Sequence, residues 1–145
     1  MRRDLLNSIN TKYLFAPIAA QTNSSTARVS AIIDTAGYES CTFVLIDGTN
    51  TDADATFAVT LEHGDDSALA DTAVPAATDL IGTTALAGFT FADDNLTRKI
   101  GYIGAKRYVR VTVTPTGNNS GDWFMAGVAI LGHAKNRPTV NPPVA

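Results

Sequence analysis

The chain has 145 residues, of which 45% are hydrophobic and 17% charged, and its formal net charge at pH 7 is −3. This length predicts one domain with its own core, and the composition is ordinary for a globular protein. The single Cys41 excludes an internal disulfide framework and, without nearby Cys or His ligands, argues against structural zinc.

The first 27 residues are predicted to form an arm outside the sheet. An apolar patch at Tyr13, Leu14 and Phe15 is followed by a polar linker over 21–26. Polar residues interrupt the apolar run that a signal peptide needs, and the longest such run is too short to cross a bilayer. We expect a chain that is neither exported nor membrane-inserted by its own signal. The arm docks on its own domain or on a neighbouring subunit.

Alternating strand patterns begin at Arg28. They predict strands over 28–34, within 38–47 and over 56–63, with a polar loop over 47–55. Successive side chains of a strand point to opposite faces, so this alternation indicates a sheet with one packed face.

The strongest pattern spans Thr97–Thr114. Two alternating runs separated by Gly104 and Ala105 predict a central hairpin. Pro115 is expected to end its second strand, because proline has no N–H to give to a ladder. The other predicted elements of this half are a surface excursion with one helical turn over 69–82, strands over 85–91 and 123–131, and a hairpin loop over 116–122.

About seven short strands joined by Gly, Asp, Asn and Pro turns predict an all-β fold. We expect a single β-sandwich or jelly-roll-like domain over residues 28–132. An extended N-terminal arm covers residues 1–27, and a Pro-rich C-terminal tail covers 133–145, where the prolines exclude a helix.

Charge is segregated along the chain. Twelve acidic residues and no lysine or arginine lie between Val29 and Thr97, whereas residues 98–145 carry seven basic groups and one acid. A basic cluster with tyrosines is typical of single-stranded nucleic-acid binding, but an acidic domain argues against that partner. We expect the cluster to pair with acidic loops of the same or a neighbouring chain. Its members are Arg98, Lys99, Lys106, Arg107 and Arg110.

The sequence has no recognisable catalytic motif. His63 and His133 each lie beside a glycine at the end of a predicted strand, and no GxSxG, HExxH or P-loop is present. We therefore predict that the protein is not an enzyme and needs no cofactor.

Asn50, Asp52 and Asp54 stand at alternate positions, as calcium ligands often do. Counted as an EF-hand loop from Asn50, the glycine position holds Ala55 and the bidentate glutamate position holds Leu61. The loop is interpreted as a solvated connection without a metal, and an irregular calcium site is the alternative.

Four phrases carry a resemblance to known proteins: RRDLLNSI, ATFAVTLEHGDDSALAD, KIGYIGAKRYVRVTVTPTG and GVAILGHAKNRP. Together they resemble the small head decoration or cement proteins of tailed bacteriophages, over most of the chain. The most specific parts are IGYIGAKRYVRVTVTP and GHAKNRP. The resemblance implies a non-enzymatic virion protein, assembled in the host bacterial cytoplasm, that sits on the outside of the capsid and braces neighbouring capsomers.

The expected partners are the major capsid protein and the protein itself, as a homotrimer, with no nucleic acid and no membrane. The candidate contact residues lie near both ends of the chain. They are Arg2, Arg3, Leu5, Leu6, Tyr13, Leu14, Phe15, Lys135 and Arg137. One alternative is a carbohydrate-binding module that uses Trp123, Tyr102 and Tyr108. Another is a different virion part, such as a tail-tube or head-completion protein.

Overall fold

The structure is a computed structural model and describes residues 4–17 and 19–140. The predictions for Arg2 and Arg3, and for the last five residues of the tail, lie outside these ranges. Within them, strands dominate. The strands are β1 (Ile9–Phe15), β2 (Gln21–Thr22), β3 (Arg28–Val29), β4 (Ile33–Asp34), β5 (Ser40–Asp47), β6 (Thr56–Gly64), β7 (Leu80–Ile81), β8 (Phe89–Thr90), β9 (Thr97–Tyr102), β10 (Tyr108–Thr116), β11 (Asp122–Trp123) and β12 (Met125–Gly132). One α-helix, α1, spans Thr84–Ala87, and 3-10 turns span Leu6–Ser8 and Ala77–Asp79.

The strands form two main antiparallel sheets. Sheet A has the order β1-β12-β5-β9-β7, and sheet B has the order β3-β10-β6-β8, with β4 also paired to β10. A small ribbon joins β11 to β2. This arrangement confirms the predicted all-β sandwich.

The core lies between the sheets and follows the predicted alternation. In β6, Phe57, Val59 and Leu61 are buried, and the residues between them are exposed or partly exposed. In β10 the three valines at 109, 111 and 113 are completely buried. Trp123 is also completely buried and stacks on Phe57, with 4.9 Å between ring centroids.

The prediction that the first 27 residues lie outside the sheet is wrong for residues 9–15. β1 is an edge strand of sheet A and pairs with β12 from Ile9 opposite Gly132 to Phe15 opposite Gly127. Leu14 and Phe15 belong to the core cluster. Their burial comes from a partner strand more than 110 residues away in the chain, which local polarity does not reveal.

The predicted central hairpin over Thr97–Thr114 is also wrong. Both strands exist, but β9 pairs with β5 and β7 in sheet A, whereas β10 pairs with β6 in sheet B. The connection between them therefore crosses the sandwich. Gly104 lies in this crossing against the ring of Tyr102, where a Cβ would stand 2.6 Å from the tyrosine oxygen.

Pro115 does not end its strand, since β10 continues to Thr116 and Pro115 pairs with Phe57. Val111 and Pro115 are an even number of residues apart, so their backbone polar groups point to the same edge of β10. The carbonyl of Val111 accepts the N–H of Ser30 at the edge opposite β6. The missing N–H of Pro115 therefore points away from β6, where it costs the β6–β10 ladder nothing.

Three further predictions need correction. The strand predicted over 85–91 is α1 followed by the short β8, because the Thr83 hydroxyl caps the helix by accepting the N–H of Leu86 at 3.2 Å. The segment 116–122 leads from β10 of sheet B to β11 of the small ribbon and is not a hairpin loop, because β10 and β11 do not pair. The strand predicted over 28–34 is two short pieces, β3 and β4, on one edge of β10.

Candidate functional site

The first and last segments that the structure describes meet at one end of the sandwich. Thr139 donates its backbone N–H to the carbonyl of Asn7 at 3.2 Å. Its hydroxyl lies 2.6 Å from the carbonyl oxygen of Ile9 and 3.1 Å from that of Leu6. The segments 4–8 and 133–139 therefore form one continuous surface, which we call the terminal surface.

Apolar side chains stand out on the terminal surface. Leu5 is 66% exposed and Leu6 is 63% exposed, next to a first turn held by Asp4. The Asp4 carboxylate accepts the N–H of Asn7 at 3.1 Å and its side-chain amide at 2.8 Å. These bonds, with a small contribution from Arg137, lower the pKa of Asp4. The leucines are thus presented by an ordered turn.

A shallow concavity of about 440 Å³ opens between the two segments. Leu5 and Arg137 line it from the two segments, together with the ends of β1, β5 and β12. His133 closes one side, with its Nδ1 3.1 Å from the Ser40 hydroxyl. The backbone N–H of Lys135 donates to the carbonyl of Gly37 at 2.9 Å, which anchors the tail to the sandwich.

The structure separates the predicted contact residues into three groups. Leu5, Leu6, Lys135 and Arg137 are exposed on the terminal surface. Tyr13 is 69% exposed but lies further along β1, opposite Val128, on the outer side of sheet A. Leu14 and Phe15 face the core, so their prediction as contacts to another subunit is wrong for this fold.

Four of the five residues of the basic cluster pair with carboxylates of the same chain, as predicted, whereas Lys99 takes part in none of the ion pairs among the described residues. Every acid in these pairs comes from the segment between Val29 and Thr97. The pairs are Arg98–Asp93, Lys106–Asp65, Arg107–Asp34 and Arg110–Glu62. The Arg107–Asp34 pair is bidentate, at 2.9 and 2.8 Å, and it lowers the pKa of Asp34 and raises that of Arg107. These cations are already engaged within the domain.

The three aromatic residues considered for carbohydrate binding do not form an exposed platform. Trp123 and Tyr102 are buried. Tyr108 is partly buried beneath the guanidinium of Arg107, 5.0 Å from its ring centroid. The prediction that these rings face a sugar is therefore not supported by their positions.

Asp52, the middle residue of the alternating set in the 47–55 loop, makes hydrogen bonds that hold the fold. The Asp52 carboxylate accepts the backbone N–H groups of Asn119 and Ser120 at 2.8 and 2.7 Å. The hydrogen bonds from Ser120 and Asn119 lower the pKa of Asp52 to about 2. Across residues 4–17 and 19–140, no three His, Cys, Asp or Glu side chains are grouped to hold a metal ion.

Comparisons with known proteins leave the family open. No family model and no curated protein matches the chain. Solved structures that match include a protein of the disulfide-linked pili of Bacillus endospore appendages, with 9% identity over 93% of this chain and 98% of that one, at a TM-score of 0.37. They also include the CBM22-1 and GH10 modules of the Clostridium thermocellum xylanase 10B, with 13% identity and a TM-score of 0.36. That match covers 94% of this chain and 28% of the xylanase chain.

A third match is a latent aurone synthase, with 14% identity over 93% of this chain and 27% of that one, at a TM-score of 0.29. Similarities this low carry no argument about the function of the chain. In the described part of the chain, no helix has the length and apolar character to cross a bilayer.

Proposed function

We propose that the protein is a non-enzymatic structural component of a bacteriophage head. It binds the outside of the capsid and stabilises contacts between capsomers. The observation that supports this most is the terminal surface, where the segment 4–8 presents exposed Leu5 and Leu6 and the segment 133–139 presents the basic Lys135 and Arg137. The sequence resemblance to phage decoration proteins supplies the class of partner.

The physical basis is burial of a small apolar patch repeated over a shell. Covering one exposed leucine contributes at most about 2 kcal/mol, so a single site binds weakly. Linked copies bind more strongly than one copy, because later contacts are intramolecular. We propose that homotrimers contact the major capsid protein in this way. Binding to the assembled shell, and not to its dissociated parts, stabilises the shell.

The test uses heads of the encoding phage produced without this gene. Purified protein is added, the heads are sedimented, and bound copies are counted by quantitative mass spectrometry. We expect saturable binding by the wild type and at least tenfold weaker binding by the Leu5→Asp, Leu6→Asp double variant.

A matched control places two aspartates on exposed apolar residues elsewhere. Val74 and Leu86 are 79% and 72% exposed and lie outside the terminal surface. The Val74→Asp, Leu86→Asp variant is expected to bind like the wild type. Equal binding by both double variants rejects the terminal surface as the contact. Failure of the wild type to bind heads, with binding to tails instead, favours the tail-tube alternative.

A further inference from the structure

The end of the sandwich opposite the terminal surface, which we call the loop end, contains a buried carboxylate that lacks a basic partner. Asp47, the last residue of β5, is 2% exposed and takes part in none of the ion pairs among the described residues. One carboxylate oxygen, Oδ2, accepts the side-chain amide of Asn50 at 2.5 Å. The other, Oδ1, is buried without any hydrogen-bond donor. A buried charge in this condition is unusual, because such groups are normally paired or bound to a metal.

Asn50 connects this carboxylate to a second one. Its backbone N–H donates to the Asp94 carboxylate at 2.8 Å, while its side chain holds Asp47. The side-chain oxygen of Asn50 is also buried and unpartnered. Two orphaned oxygens, on Asp47 and Asn50, therefore lie in one cluster with the carboxylate of Asp94.

The backbone fixes the elements that carry these groups. Two hydrogen bonds tie the segment before β9 to the end of β5: Asp47 N–H to the carbonyl of Leu96 at 2.9 Å, and Asn95 N–H to the carbonyl of Gly48 at 3.0 Å. The cluster is thus held by the main chain and does not depend on flexible side chains alone.

The electrostatics favour a cation. Burial raises the pKa of Asp47 to about 6, and repulsion by Asp94 and Asp93 adds to the rise, against the opposing hydrogen bond from Asn50. Two guanidinium groups of this end are engaged elsewhere: Arg98 is bound to Asp93, and Arg28 donates to the carbonyl of Met125, the residue opposite Asp47 in sheet A. Among the described residues, neither Asp47 nor Asp94 takes part in an ion pair that would compensate its negative charge.

We propose that Asp47, Asn50 and Asp94 bind a hard divalent cation of the Ca²⁺ type, with water completing its coordination. Carboxylate, amide and water oxygens in an irregular loop are the ligands that Ca²⁺ takes. The site has two carboxylates and one amide. It is therefore compatible with the finding that no three His, Cys, Asp or Glu side chains are grouped among the described residues. It also differs from the alternating Asn50, Asp52 and Asp54 of the sequence, since Asp52 is occupied by backbone N–H groups. The site is independent of capsid binding.

The test measures calcium binding to the full chain after removal of metals with a chelator. Isothermal titration with CaCl₂ at pH 7.5 is expected to show one site per chain. At a free Ca²⁺ concentration of 100 times the Kd, the Tm is expected to rise by roughly 5–10 °C. No binding heat, or an equal shift in NaCl of matched ionic strength, overturns the proposal.

Variants locate the site. Asp47→Asn removes the buried charge but retains the side-chain oxygen that Asn50 contacts, so it is expected to fold in chelator and to lose the calcium-induced rise in Tm. Asp94→Asn is expected to weaken binding at least tenfold. Asp54→Asn, an exposed acid of the same loop, provides the matched loss of charge and is expected to bind as the wild type does. Undiminished binding by Asp47→Asn, or an equal loss in Asp54→Asn, overturns the assignment.

Discussion

The two ends of the sandwich are both rich in aspartate, but they compensate this charge differently. Near the terminal end, Asp34 and Asp65 form exposed ion pairs with Arg107 and Lys106 at the start of β10. At the loop end, Asp93 pairs with Arg98, but Asp52 is compensated by backbone N–H groups, and Asp47 keeps a buried oxygen without a partner.

This difference follows from where the basic residues enter the fold. The acidic segment between Val29 and Thr97 supplies carboxylates to both ends, whereas Lys106 and Arg107 lie in the crossing from β9 to β10, which is at the terminal end. Exposed ion pairs contribute little to stability, typically less than about 1 kcal/mol, while an uncompensated buried charge is more costly. We therefore expect stability to be more sensitive to the loop end.

The largest effect is expected from Trp123, the large side chain at the base of the loop end. Trp123→Ala removes a completely buried ring that stacks on Phe57 and leaves a cavity, which costs about 3–5 kcal/mol in the free energy of unfolding. Urea unfolding measures the loss. The neighbouring Phe124→Ala, at a more exposed ring, is the control and should cost far less. A loss below about 1 kcal/mol for Trp123→Ala contradicts this view of the loop end.

A smaller effect, with a defined pH dependence, is expected from Asp47→Asn in the presence of a chelator. Because the folded pKa of Asp47 is about 6 and its unfolded pKa is about 4, the folded protein binds this proton more tightly than the unfolded chain does. This group's stabilising contribution is therefore full below pH 4 and lost as pH rises to 6.

The comparison between wild type and variant isolates this group from the other carboxylates. Relative to the wild type, Asp47→Asn should gain on the order of 2 kcal/mol between pH 4 and pH 7. Chemical unfolding at both pH values measures the difference. A constant difference across this range means that Asp47 titrates normally.

A still smaller effect is expected from the ion pair between Arg110 and Glu62, which lie opposite each other on β10 and β6 and are about one-third exposed. A double-mutant cycle with alanine at both positions should give a coupling energy below about 1 kcal/mol, and added salt should reduce it. A coupling above about 2 kcal/mol, unaffected by salt, contradicts the contrast between the two ends.

The smallest effect on stability is expected on the terminal surface itself. Leu5 and Leu6 are exposed, so the Leu5→Asp, Leu6→Asp variant should unfold within about 0.5 kcal/mol of the wild type. Thermal and urea unfolding measure it. A large loss would show that the turn supports the sandwich, and its effect on capsid binding would then be indirect.

The sequence predicted the strands whose pattern is local. The alternation in β6 and β10 identified Phe57, Val59 and Leu61, and the valines of β10, as one packed face. It did not identify strand partners, because side chains alternate between the two faces every second residue in either sheet of a sandwich. For this reason β9 and β10 were paired wrongly, and β1 was missed because its partner is β12.

The two candidate sites also differ in how much of each could be predicted from the sequence. Leu5, Leu6, Lys135 and Arg137 could be singled out because apolar and basic residues near the chain ends are visible in the sequence. Their joining by Thr139 was not visible, since it depends on hydrogen bonds across the fold. Asp47 was missed altogether, because its burial depends on packing of the segment before β9 against the end of β5.

The pairing of β1 with β12 also determines how the protein responds to mechanical force. The two strands are antiparallel neighbours, and Ile9 opposite Gly132 is the pair next to both chain ends. A tension between segments 4–8 and 133–139 therefore breaks the hydrogen bonds of Thr139 first. It then acts on this pair and opens the ladder one hydrogen bond at a time, a geometry that resists little force. If a single neighbour binds both segments of the terminal surface, no tension crosses the pair. Attachment of both segments to one partner therefore loads the β1–β12 ladder less than attachment of each segment to a different partner.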